Sequence, residues 1–225
     1  MGSREKLKLV VAIKGYLEAI VDESPGVPEV LNKFNALTLD LASMIHRKPV
    51  PPAHSELLDV AIAGIPAGPM AAIRDALPAV VDLVEWRMDR GMFYEDPREI
   101  GDDYTHGNMN CELIGPNGNA FYHPDFTLGF FFMVPRILYC DHDHIPPELY
   151  LPLNGPHGWR FDLGPWQDLP AGAVVWNQPE QPHAMRTYDM PFLAIYSWPR
   201  DVNNLCRVVH ADDWRDIESE LLSSA

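Results

Sequence analysis

Cysteine is scarce in this sequence and nothing suggests that it is paired. Cys111, Cys140 and Cys206 are the 3 cysteines among 225 residues. They are widely spaced and include no Cys-x-x-Cys pair, which argues against a disulfide framework and against a cysteine zinc site. Basic residues are few as well: 17 Lys and Arg stand against 32 Asp and Glu, a formal net charge of -15. So acidic a surface repels phosphate backbones and anionic lipids, so neither nucleic acid nor a membrane is an expected partner. Long apolar runs are also missing. Arg4, Lys6 and Lys8 lead into Leu9-Val10-Val11-Ala12-Ile13, but Lys14 ends that run and Glu18 and Asp22 follow. The run is too short for a secretory core or a membrane span, and is expected to open a helix in a cytoplasmic protein.

What is there describes an ordinary globular chain, 47% hydrophobic and 22% charged, long enough to bury a core without covalent staples. The first third has helical spacing. Val10, Ile13, Leu17, Ile20 and Val21 form one stripe; Val30, Phe34, Leu37, Leu41, Met44 and Ile45 form another. Pro28 suits the first turn of the second helix and Pro49 to Pro52 would stop it. Ser55 is a candidate cap for a short helix ending at Gly64. A further stripe from Met70 to Val84 contains Pro78 and should be kinked or split.

After Trp86 the texture changes to short segments rich in Gly, Pro and aromatics. Asn117-Gly118 has the form of a hairpin turn, Leu128 to Val134 is a nearly continuous apolar strand, and Gly172 to Val175 is another strand candidate. From Glu148 to Leu153 the residues alternate: Leu149, Leu151 and Leu153 on one face, Glu148 and Tyr150 on the other. Many such strands predict a sandwich or barrel. Asp212 to Leu222 forms an amphipathic helix with Trp214, Ile217, Leu221 and Leu222 on its apolar side. The expected division is a helical region, 1–90, packed on the outside of a barrel, 91–225, that includes the C-terminal helix.

The chemistry concentrates in Tyr139-Cys140-Asp141-His142-Asp143-His144-Ile145-Pro146-Pro147-Glu148-Leu149-Tyr150. Residues two apart in an extended chain share a face, so His142 and His144 project together, as do Glu148 and Tyr150 after the prolines. Imidazoles with a carboxylate suit one divalent cation of intermediate softness: zinc, iron, manganese, nickel or cobalt. His183 is the best candidate for the third imidazole, because Pro179-Glu180-Gln181-Pro182 would turn a strand back toward the others. His46, His54, His106, His123, His157 and His210 lack such support and are expected at the surface or in hydrogen bonds. A phenol is a poor base unless its anion is stabilised, and Tyr150 would lie within reach of the cation. Tyr139, Tyr122 and Tyr196 are further candidates to line the cavity. Trp159, Trp166, Trp176 and Trp198 are expected as core or rim, where aromatic faces would suit a cationic ligand.

His142, His144, Glu148 and Gly155, spaced His-x-His-x3-Glu-x6-Gly, resemble the first cupin motif, although Arg136 stands where its leading glycine is usual. Gly172, Pro179 and His183 resemble the second, with Gln181 and Thr187 departing from it. The fold this implies is a single cupin (jelly-roll) barrel, mainly β, with an N-terminal helical layer and a C-terminal helix. The longer pattern Tyr139…His142-x-His144-x3-Glu148-x-Tyr150…His183 resembles the cupin dimethylsulfoniopropionate (DMSP) lyases. That resemblance implies a metal held by His142, His144, Glu148 and His183, with Tyr150 as base and Tyr139 at the active site. It also implies a small zwitterionic or carboxylate substrate, for which Tyr122, Tyr196 and Trp198 are candidate contacts, and β-elimination to dimethyl sulfide and acrylate. A homodimer is compatible with it. The alternatives are another metal-dependent cupin enzyme, such as an iron oxygenase, and a cupin that binds a small molecule without turnover.

Overall fold

The computed structural model describes residues 2–223. In α1 (Ser3–Ala19), Leu9, Val10, Ile13 and Leu17 are buried on one face, as the helical repeat requires. In α2 (Gly26–Asn35), with Pro28 in its first turn, Val27, Val30, Leu31 and Phe34 are buried. This helix stops well short of the expected stripe: Leu41 is exposed and 36–49 is turns and irregular chain. Asp40 accepts the Ser43 amide at 2.8 Å, a local bond that competes with the helix, and the Ile45 amide goes instead to the Ala120 carbonyl. α3 (Ser55–Ala63) takes His54 rather than Ser55 as its N-cap residue and ends at Gly64. α4 (Ala71–Ala76) gives way to two 3-10 turns, Leu77–Ala79 and Val81–Leu83, split around Pro78 because proline has no amide to donate. The short α5 (Asp102–Gly107) has no counterpart among the expected helices. Six residues are too few to show a period.

The strands are β1 (Asn108–Gly115), β2 (Phe121–Tyr122), β3 (Thr127–Met133), β4 (Leu138–Asp143), β5 (Glu148–Pro152) and β6 (His157–Phe161), then β7 (Gln167–Leu169), β8 (Val175–Asn177), β9 (His183–Arg186), β10 (Phe192–Trp198) and β11 (Arg207–Val208). They form one sheet in the order β2-β1-β3-β10-β5-β8 and a second in the order β11-β4-β9-β6-β7. Every pairing is antiparallel except β1 with β2. The two sheets make a jelly-roll barrel, and α6 (Trp214–Ser223) closes the described chain. Two local expectations change. Asn117-Gly118 is not a two-residue hairpin: the Asn117 amide donates to Glu112 Oε1 at 2.6 Å and β2 returns parallel to β1. Ala171 and Gly172 are a turn, Ala173 and Val174 are irregular, and the strand starts at Val175.

Packing has two parts. The helices share one apolar cluster with the outer face of the six-stranded sheet, including Phe130, Phe132, Leu149, Leu151, Leu153 and Leu193. A second cluster fills the barrel with Phe131, Met133, Tyr139, Tyr150, Trp159 and Phe192. Successive residues of β3 therefore go to opposite cores, which is why its sequence is apolar throughout rather than alternating. In α6, Ile217 and Leu221 are buried but Leu222 is 64% exposed; it is one residue out of helical phase. All three cysteines are free and buried. Among the described residues, no helix is long and apolar enough to cross a membrane.

Candidate metal centre

Strand pairing places the histidines. His142 near the end of β4 is the register partner of His183 at the start of β9, so the turn at Pro179 does bring that imidazole back. His144 follows β4, and Glu148 opens β5 in the other sheet. All four side chains are buried. The ring nitrogens that the three histidines can offer to an ion lie within 4.8 Å of one another. Glu148 Oε2 is 3.2 Å from His144 Nε2 and 3.4 Å from His183 Nε2.

Backbone carbonyls decide how the imidazoles are protonated. His142 Nδ1 faces the Cys140 carbonyl at 2.8 Å, His144 Nδ1 the Pro146 carbonyl at 2.7 Å, and His183 Nδ1 the Gln181 carbonyl at 2.8 Å. A carbonyl only accepts, so each Nδ1 carries the proton and each Nε2 is left with its lone pair. Three lone pairs and a carboxylate then face one another with no proton to share. His183 Nε2 is buried without a hydrogen-bond partner. An acceptor-only cluster of this composition fits a divalent cation of the kind that takes nitrogen and oxygen ligands, with the Nδ1 bonds fixing ring orientation.

Electrostatics agree with that donor set. Burial, reinforced by the neighbouring His183 and His144, pushes His142 well below the ordinary histidine range, so it stays neutral. Burial alone would raise the Glu148 carboxyl. The group is nevertheless held far below the usual carboxylate range wherever His144 or His183 faces it as a proton donor, and a cation between them would supply the same positive charge when each Nε2 is bare. Glu148 is further gripped by Trp198 Nε1, which donates to Oε1 at 2.9 Å, and by Asn177 Nδ2, which donates to Oε2 at 3.2 Å.

Beside the cluster opens a cavity of about 140 Å³, lined in part by Glu148, Tyr139, Tyr150, Tyr196 and Trp198. The family model for dimethylsulfoniopropionate lyase matches residues 26–194, which span α2 to α5 and every proposed ligand. The chain belongs to the DMSP lyase family. DMSP lyase DddQ of Ruegeria pomeroyi is 30% identical over 132 residues; the alignment covers 59% of this chain and spans 63% of that protein's length. The crystal structure of DddQ from Ruegeria pomeroyi DSS-3 superposes with a TM-score of 0.66 at 23% identity, over 93% of this chain and 98% of that one. A chain from the structures of the DMSP lyases RdDddP and RnDddQII gives 0.69 at 22%, over 93% and 100%. Both share the fold.

Of the other residues named from sequence, Tyr122 lies outside the cavity on β2, 57% exposed. An alternating strand of two residues can present only one of them inward, and Phe121 takes that place. His157, expected at the surface or hydrogen-bonded, is fully buried against Phe192 with neither ring nitrogen partnered. Several residues at or next to the site carried no sequence signal. Tyr104 stacks on Tyr139 at 4.1 Å between ring centres, and Tyr139 on His142 at 4.2 Å. The Tyr94 hydroxyl donates to the Tyr139 hydroxyl at 2.5 Å. Asp89 and Asn177 complete this set. None repeats at a recognisable spacing, because loops and sheet pairing bring them in rather than a motif.

Proposed function

We propose that this protein cleaves dimethylsulfoniopropionate to dimethyl sulfide and acrylate by β-elimination, with His142, His144, Glu148 and His183 as metal ligands and Tyr150 as base. The observation that carries this reading is the acceptor-only cluster of three imidazoles and Glu148, opening onto a cavity that Tyr150 lines. Family membership supports the substrate class.

Burial and the charge of Glu148 push the Tyr150 phenol well above its ordinary range, so the protein alone would keep it protonated. A divalent cation held by the four ligands would polarise the substrate carboxylate, acidify the adjacent Cα–H and favour the phenolate. Tyr150 Oη then takes the Cα proton. The C–H electron pair becomes the Cα=Cβ bond, the Cβ–S bond breaks, and its electrons leave with sulfur as neutral dimethyl sulfide. Departure removes the positive charge on sulfur, so no strong acid is needed to assist it. Aromatic side chains around the cavity hold the cationic end and exclude water. Tyr139, stacked on His142 and hydrogen-bonded by Tyr94, keeps that ring oriented. Tyr196 and Trp198 complete the wall.

Headspace detection of dimethyl sulfide from purified metal-loaded protein, against a chelated control, tests the assignment. Release that depends on metal but not on oxygen is the expected result. Turnover of a carboxylate only with iron and oxygen would move the protein to the oxygenases.

A further inference from the structure

The cavity holds a carboxylate that the elimination chemistry does not use. Asp89, in the chain before α5, is 2% exposed and lines the cavity wall. Its Oδ2 accepts the Tyr104 hydroxyl at 3.0 Å. Its Oδ1 has no hydrogen-bond partner. A buried anion left half-satisfied is costly unless something charged meets it. Among the described residues, no Lys or Arg lines this cavity. Burial lifts the Asp89 carboxyl to about 6, against the pull of the Tyr104 hydroxyl and the amides of Phe93, Met92 and Gly91, so it is ionised at neutral pH. The titratable groups around it, Tyr94, Tyr104, Tyr139 and Cys206, are all held in their neutral forms by burial. The protein therefore provides no counter-charge.

The position of Asp89 indicates what does. Tyr104 stacks on Tyr139 and Tyr139 on His142, so Asp89, bonded to the Tyr104 hydroxyl, is two ring layers from the histidine cluster along one wall. One end of the cavity suits a dication and hence a carboxylate; the other presents the Asp89 anion among the aromatic side chains Phe93, Tyr104 and Phe131, while Glu112, also on the cavity wall, is raised by burial to about 7. Aromatic faces beside a carboxylate suit a cation that has no N–H to donate. We propose that Asp89 is the counter-charge for the onium end of the substrate and selects zwitterions over simple carboxylates. This rests on the lyase assignment above and adds the group that recognises the sulfonium. Its attraction is strongest before the C–S bond breaks, so it favours binding more than the chemical step.

Calorimetry on the metal-loaded protein with 3-(trimethylammonio)propanoate and its carbon isostere 4,4-dimethylpentanoate, which keeps the carboxylate but lacks the cationic centre, tests this. The wild type should bind the onium compound about tenfold or more tightly. Asp89→Asn, which keeps an acceptor for Tyr104, should bind the two within about twofold, with KM for DMSP raised about tenfold and kcat changed much less. Equal binding of the pair by the wild type overturns the proposal without any variant, as does a retained preference in Asp89→Asn. The two assignments fail separately. Dimethyl sulfide release with equal binding of the pair removes Asp89 and leaves the lyase, whereas an onium preference without release removes the lyase and leaves an onium site.

Discussion

Strand β5 belongs to two different cores. Leu149 and Leu151, with Leu153 just beyond, point into an aliphatic layer shared with the helices, whereas Glu148 and Tyr150 point into a barrel of aromatic and polar side chains. The outer layer is held mainly by apolar burial, which is undirected and tolerant of detail. The interior depends on direction: carbonyls that set imidazole tautomers, donors that pin both oxygens of Glu148, rings stacked in series. One core holds the fold together, and the other spends stability on an unsatisfied cluster that suits an ion.

If that division is right, substitutions on the two faces should separate stability from activity. The largest effect on activity is expected from His183→Ala, which removes a proposed ligand: bound metal, read by atomic emission, and dimethyl sulfide release should both fall to the chelated background, while the apo protein melts no lower than the wild-type apo protein. A large drop in Tm would mean that the interior cluster also supports the fold. Next is Tyr150→Phe, with kcat lower by about 10²- to 10⁴-fold and metal content unchanged. Near-wild-type release from this variant would remove Tyr150 as base. On the other face, Leu151→Ala should cost about 2–5 kcal/mol in denaturant unfolding, with activity per folded molecule retained.

The smallest effect is a pH dependence from His157, buried in the barrel. Burial, only partly offset by Asp168, lowers its pKa to about 4. The unfolded chain takes up that proton below about 6.5 and the folded chain only near 4. The unfolded state therefore binds more protons between those values. Stability is intact above about pH 6.5 and declines by up to about 3 kcal/mol as pH falls toward 4. Urea titrations of wild type and His157→Leu across that window should show a flatter acid limb in the variant; parallel limbs would mean that another group dominates.

Much of the site was legible because short-range geometry carries it. Two-residue alternation put His142 with His144 and separated Glu148 and Tyr150 from the leucines. The Pro179 turn pointed to His183. Apolar periodicity found α1 and the split at Pro78, but it overextended α2, where the Asp40 side chain and the Ala120 carbonyl offer the backbone other partners. Tyr122 was misplaced for a related reason: a tyrosine in a two-residue strand has no pattern to say which face it takes. Asp89, Tyr94, Tyr104 and Asn177 were missed because each reaches the site from a distant segment with no spacing to announce it.

By itself, then, the order of residues determined the family pattern, the candidate ligand types and the alternating faces, since these depend on backbone geometry over a few residues. Only the tertiary structure decided which imidazole nitrogens are free, which oxygens of Glu148 are held, and that Asp89, with one oxygen unpartnered, shares the cavity. Those facts arise from contacts between strands and loops far apart in the chain, and burial gives each of them its consequence.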